Sequence, residues 1–124
     1  DIERLSDHAE NIVEYEAQVR SGKATLSEDA MNELKQLAQL SLQSVDLCLS
    51  IFADEDYDRL QEAEDLEDLV DDTQETIIGN HVKRLMNATC DPMGGVVFTD
   101  MATDLERCSD HAINIATALS AHPS

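Results

Sequence analysis

One twelve-residue phrase occurs twice in this chain. Residues 1–12 read D-I-E-R-L-S-D-H-A-E-N-I and residues 104–115 read D-L-E-R-C-S-D-H-A-I-N-I, identical at nine of twelve positions with an offset of 103. Chance does not place so many different side chains in one order twice, so the chain holds an internal repeat, and only the end of the first copy is expected to be present. Each copy carries Glu-x-x-x-Asp: Glu3 with Asp7, and Glu106 with Asp110. On a helix, residues four apart share a face, so each phrase sets two carboxylates side by side. Like charges so placed repel by about a few tenths of a kcal/mol, unless something positive sits between them.

The segments between the phrases read as helix. Ile2, Leu5, Ala9, Ile12 and Val19 recur at helical spacing, and Ser21-Gly22 ends the run. Thr25 or Ser27 then caps a second helix reaching about Ala53, with Glu28 and Asp29 in its first turn. Its stripe is Met31, Leu34, Ala38, Ser41, Val45, Cys48 and Phe52, with a second apolar strip of Leu40, Leu47 and Ile51, so it needs two neighbours. The acidic turn 54–56 leads into a third helix over about 57–87, with Leu66, Val70, Thr73, Ile77, His81 and Leu85 inward. A breaker cluster, Thr89 to Gly95, precedes a fourth helix from about Val96 to Ser120, on Phe98, Met101, Leu105, Cys108, Ala112, Ile115 and Leu119. Short connections between long helices make antiparallel neighbours, so the fold class expected is all-α, an antiparallel helical bundle, with breaks near 21–26, 54–56 and 88–95.

Charge narrows the function. Eight basic residues stand against 27 acidic ones, a net charge of −19. Such a surface repels phosphates, which argues against nucleic acid and against an anionic membrane surface, and it favours cations or basic partners. No run nears the roughly 18 apolar residues of a membrane span, so no direct lipid insertion by this fragment is expected. Cys48, Cys90 and Cys108 form no metal-ligand spacing, and an odd count points to reduced thiols, with Cys48 and Cys108 as core fillers. Residues 54–76 hold twelve carboxylates against Arg59 alone, with Glu64, Asp68, Asp71 and Glu75 in one stripe and Glu67 with Asp71 as a third Glu-x-x-x-Asp pair. Oxygen donors at this density suit divalent or trivalent cations, and a solvated acidic face is the other reading. On the helical wheel, Glu106 and Asp110 fall opposite the apolar stripe, so the pairs are expected on the bundle's outer face or in a groove between bundles. They are then not the inward ligands of a di-metal bundle, which would also want Glu-x-x-His. His8 and His111 sit one residue past each Asp, as boundary histidines bonded to a neighbouring helix. His81 is expected to be packed. Arg4 and Arg107 can each bridge the Asp three residues on. No nucleophile, triad order or glycine-rich phosphate loop appears, and no enzyme is expected.

The phrase E-R-x-S-D-H-A-x-N-I resembles the signature that closes each three-helix repeat of PhoU-like phosphate regulators. E-D-L-V-D-D at 67–72 is similar to the mid-repeat acidic motif of that family. H-V-K-R-L at 81–85 and G-G-V-V-F-T-D-M-A-T-D-L-E-R at 94–107 look most like the PhoU-type C-terminal region of bacterial sodium/phosphate cotransporters. The resemblance implies that residues 1–22 are the last helix of a truncated first repeat and residues 27–121 a complete second one. It implies metal sites, including multinuclear iron clusters, at Glu3, Asp7, Glu67, Asp71, Glu106 and Asp110, with iron, zinc or manganese as the cation. The function it implies is a cytoplasmic metal-binding regulatory domain of a sodium-dependent phosphate cotransporter. That domain would lie on the cytoplasmic side of the plasma membrane, with the transporter's own membrane-spanning part as partner and a homodimer as an option. The alternative is a freestanding PhoU-type regulator of phosphate uptake and signalling. The two phrases should be unequal sites, because Glu67 and Asp71 can approach Glu106 and Asp110, whereas Glu3 and Asp7 lack a preceding helix.

Overall fold

A computed structural model describes residues 2–22, 26–87 and 92–120, with the side chains of Ile2, Leu119 and Ser120 left aside. Thr25, Cys90 and the Ala88–Asp91 part of the expected breaker lie outside the described residues. Four helices result: α1 (Ile2–Arg20), α2 (Glu28–Asp54), α3 (Leu60–Met86, entered through a 3₁₀ turn at Tyr57–Arg59) and α4 (Pro92–Ser120). Among the described residues there is no strand.

The helix ends follow from local chemistry. Gly22, at φ 82°, supplies the left-handed turn after α1, and its N–H bonds to the carbonyl of Val19. Ser27 caps α2, its hydroxyl accepting from Ala30 N–H at 3.1 Å. Glu55 ends α2 in the left-handed region at φ 53°. The one misjudged boundary is the start of α4. It begins at Pro92, not near Val96, so Gly94 and Gly95 lie within the helix. Proline suits the first helical turn, where its missing N–H costs nothing. Gly95 serves a contact instead of a turn: a Cβ there would come 3.0 Å from Cε1 of His81.

α2 and α4 run parallel, with α3 antiparallel to both. Ser41 donates to the Leu105 carbonyl at 2.7 Å and Ser44 shares a hydrogen bond with Ser109 at 2.6 Å, a constant offset along two parallel helices. Glu33 on α2 takes Asn80 at 2.7 Å and Arg84 at 2.8 Å from the far end of α3. One core joins Leu34 and Leu37 of α2, Val70 and Ile77 of α3, and Phe98, Ala102 and Leu105 of α4. A second joins Leu47, Cys48 and Ile51 to Ala63 and to Ala112, Ile113 and Ala116. Truncating a fully buried side chain such as Leu37 to alanine costs roughly 2–5 kcal/mol. Burial pushes the Cys48 and Cys108 thiols up to about 11, as core positions do.

α4 is the central helix, covered by α1, α2 and α3, and α1 packs chiefly on α4. The expected stripes are therefore incomplete. Phe52 (39% exposed) and Leu85 (48%) lie largely in solvent, while Leu37, absent from the stripe, is fully buried. The α1/α4 pairing is antiparallel: Leu5 meets Cys108, His8 meets Asp104 and Tyr15 lies beside Asp100. Because residue numbers on the two helices sum to a near-constant value, the two copies of the phrase cross near Leu5 and Cys108. Equivalent residues then face each other across the crossing. Leu5 and Cys108 are one such pair, and His8 and His111 are another, their rings stacked at 5.3 Å with 14° between planes.

Candidate metal centre

α3 and α4 bring their carboxylates to one groove. Val70 and Ile77 hold α3 inward against Phe98, Ala102 and Leu105 of α4, and the two helices run in opposite directions. The side of α3 that borders this seam carries Glu67 and Asp71. The corresponding side of α4 carries Glu106 and Asp110. Glu67, Glu106 and Asp110 offer oxygens within 4.8 Å of one another, and so do Glu67, Asp68 and Asp71. Glu67 belongs to both groups, so five carboxylates from two helices form one cluster. Glu67, Asp71 and Glu106 are half-buried. This corrects the outward placement expected from the helical wheel: the wheel finds one apolar face, but α4 is covered on three sides, so a carboxylate opposite its stripe meets α3.

The electrostatics of the cluster are those of crowded, partly dried anions. Burial, then the charge of Asp71 and a hydrogen bond to it, push the Glu67 carboxyl up to about 7. Burial, then a hydrogen bond to Asp71 and the Asp71 charge, raise Glu106 to about 7, with Arg107 as a small counterweight. Oδ1 of Asp71 is buried with no hydrogen-bond partner among the described residues. A cation held about 2.0–2.6 Å from each oxygen spans donors up to about 5 Å apart, so the spacing fits a hard cation. The donor set is all oxygen, which suits magnesium, calcium, manganese or iron better than a thiolate-seeking metal.

Glu3 and Asp7 do not join this cluster. Both are exposed on α1, and neither belongs to a carboxylate group close enough to share an ion among the described residues. No ion pair joins Arg4 to Asp7 or Arg107 to Asp110 among the described residues, although both spacings allow it. The histidines behave as packing groups. His8 Nδ1 lies 2.6 Å from Asp104 Oδ1, and burial followed by the neighbouring His8 holds His111 below the ordinary imidazole range. His81 is buried, stacks on Phe98 at 5.0 Å, and is likewise lowered, first by burial and then by Arg84. Two acids outside the expected ligand set matter to the structure. Asp68 stands in the acidic stripe but was not assigned as a ligand. Asp104 is buried at 7% exposure and anchors α1 through His8. Its signal lay in the phrase itself, whose first letter it is.

Residues 34–119 match the model of the PhoU domain. The chain belongs to the PhoU domain family. Comparison with curated proteins and with solved structures gives no match. The PhoU match takes in α2 from Leu34, all of α3, and α4 to Leu119, so the five-carboxylate groove lies wholly within it, while Glu3 and Asp7 lie outside. Membership of the PhoU family suggests a regulatory role in phosphate uptake. Among the described residues, no helix is long and apolar enough to cross a membrane.

Proposed function

We propose that this chain is a cation-binding regulatory domain of a sodium-dependent phosphate cotransporter, working on the cytoplasmic side of the membrane against the transporter's own spanning part. The observation that carries the metal reading is the groove between α3 and α4, where two carboxyls are raised to about 7 and a buried Asp71 oxygen has no hydrogen-bond partner. There a proton does at low pH what a cation would do at neutral pH. Glu67, Asp68, Asp71, Glu106 and Asp110 would hold the ion, which supplies charge compensation and ties α3 to α4. The cotransporter assignment rests on the sequence likeness of residues 81–85 and 94–107, and the presence or absence of hydrophobic spans of about 20 residues in the gene upstream of Asp1 would decide between it and a freestanding regulator.

In the same reading, α1 closes a first repeat and residues 27–121 form a second. The symmetric crossing of the two phrases supports this, and so does the open face of α1. Ser109, Ala112 and Ala116 of α4 are fully buried beneath α2 and α3, whereas their counterparts Ser6, Ala9 and Val13 are exposed, Val13 by 64%.

The metal reading is tested by thermal melts in chelator and then with added manganese, iron or zinc. A ligand that binds only the folded state raises the midpoint by mass action, about 2.7 kcal/mol of stabilisation at a hundredfold excess over its dissociation constant. A midpoint unmoved by every cation would leave a solvated acidic face.

A further inference from the structure

α1 and α2 both lie on α4 and make little contact with each other, which leaves an apolar groove of about 270 Å³ between them. Its floor is the buried Leu34 of α2 and Leu105 of α4. Its walls include Ile12 and Val19 of α1 and Met31 and Ala38 of α2, each half-buried. Water in such a groove finds few polar partners, and the walls forgo the packing contacts that a filled core has. Two charged side chains stand at the rim. Glu16 is paired with Arg20, one turn further along α1. Lys35 lies between Met31 and Ala38 in the sequence of groove-lining residues, is exposed, and has no ion-pair partner among the described residues. In a chain with eight basic residues against 27 acidic ones, an uncommitted lysine beside an apolar groove is an exception.

We infer that this groove binds a free medium-chain monocarboxylate, its alkyl chain laid between α1 and α2 and its head group on Lys35. Size sets the chain length. An engineered apolar cavity of about 150 Å³ takes up benzene, so about 270 Å³ has room for roughly eight to ten carbons. Charge sets the head group. With a screening length of about 8 Å at physiological salt, the nearest charges decide its sign, and the nearest uncommitted one is Lys35. The flexible stem of a lysine lets its ammonium follow the head group, and a methionine wall adapts to a chain without fixed shape. Such a ligand touches α1 and α2 at once, so it fastens together two helices that otherwise meet chiefly through α4. The inference depends neither on a cation between α3 and α4 nor on the cotransporter reading.

Calorimetric titration of the full chain with hexanoate, octanoate, decanoate and dodecanoate should show saturable binding. Burying one more methylene tightens binding about fourfold, so Kd should fall by about that factor per methylene as far as decanoate, then level off once the groove is full. Octanol should bind about fivefold more weakly than octanoate, and Lys35→Gln, a change at an exposed position, should remove that difference. Ala38→Leu should weaken decanoate by about tenfold or more, because the added atoms occupy the groove. Saturating decanoate should also slow deuterium exchange of the α1 amides. Absence of saturable binding by every carboxylate overturns the inference. So does octylamine binding more tightly than octanoate, which would assign the groove to cations. An affinity still climbing steeply at dodecanoate, or carboxylate binding unmoved by both variants, means adsorption to the surface at large and overturns it as well.

Discussion

Gly95 and Glu67 carry the heaviest single-residue constraints in this molecule, for opposite reasons. At Gly95 the constraint is space: an added methyl would meet the His81 ring at 3.0 Å and 3.2 Å, and that ring is held by its stack on Phe98. Gly95→Ala should therefore destabilise by about 1–3 kcal/mol despite alanine's better helix propensity, measured by urea denaturation. At Glu67 the constraint is charge. Its carboxyl and that of Glu106 are raised to about 7 in the fold, above their ordinary range. A raised folded value means that these groups stabilise the fold at low pH and that this contribution is lost as pH climbs through about 7. Glu67→Gln should thus stabilise the cation-free protein at pH 8, leave it unchanged near pH 4, and weaken cation binding. Melting curves at the two pH values with chelator check the first two, and calorimetry checks the third. The glutamate was legible in the sequence because it belongs to an acidic pair. The glycine was misread as a helix breaker, because sequence shows what glycine permits locally and says nothing of a ring packed against it from another helix.

At the scale of helices, the sequence carried most of the architecture, and its largest failure concerns α4. Three-to-four periodicity located α1, α2 and α3, although Phe52 and Leu85 of the expected stripes are exposed and the buried Leu37 lies outside them. α4 is covered on three sides, and much of its buried surface is small: Ala102, Ser109, Ala112 and Ala116 are fully buried yet read as indifferent on any hydrophobic scale. Those small residues let α2 approach closely enough for Ser44 to meet Ser109 at 2.6 Å. The same coverage turns Glu106 and Asp110 toward α3. It also sets apart the two copies of the phrase. Asp110 has Glu67 of α3 within reach of one ion, and Asp7 is exposed on α1. Asp110→Asn should weaken cation affinity by about tenfold or more while Asp7→Asn changes it by less than about twofold, since each substitution keeps shape and removes one charge from a hard cation. Titration calorimetry of both variants decides it, and equal losses would mean that the two phrases contribute to one site.

Taken whole, the molecule is a three-helix core of α2, α3 and α4 with a fourth helix laid on the outside of its centre. None of the described residues of α1 is fully buried, and α1 rests chiefly on α4. Its anchorage is polar as much as apolar: the bond of His8 to Asp104, the stack of His8 on His111, and Tyr15 beside Asp100. A helix fastened to one neighbour has its own opening equilibrium. Its amides should exchange with solvent deuterium as a single early group, at an opening free energy well below that of the amides around Leu37, Val70 and Phe98. Release of α1 would uncover Leu105 and Ala38 along a groove of about 270 Å³ that is already part-formed between Ile12, Met31, Leu34 and Met101. The duplicated phrase thus acts as a latch, and the stability of that latch is a quantity separate from the stability of the fold.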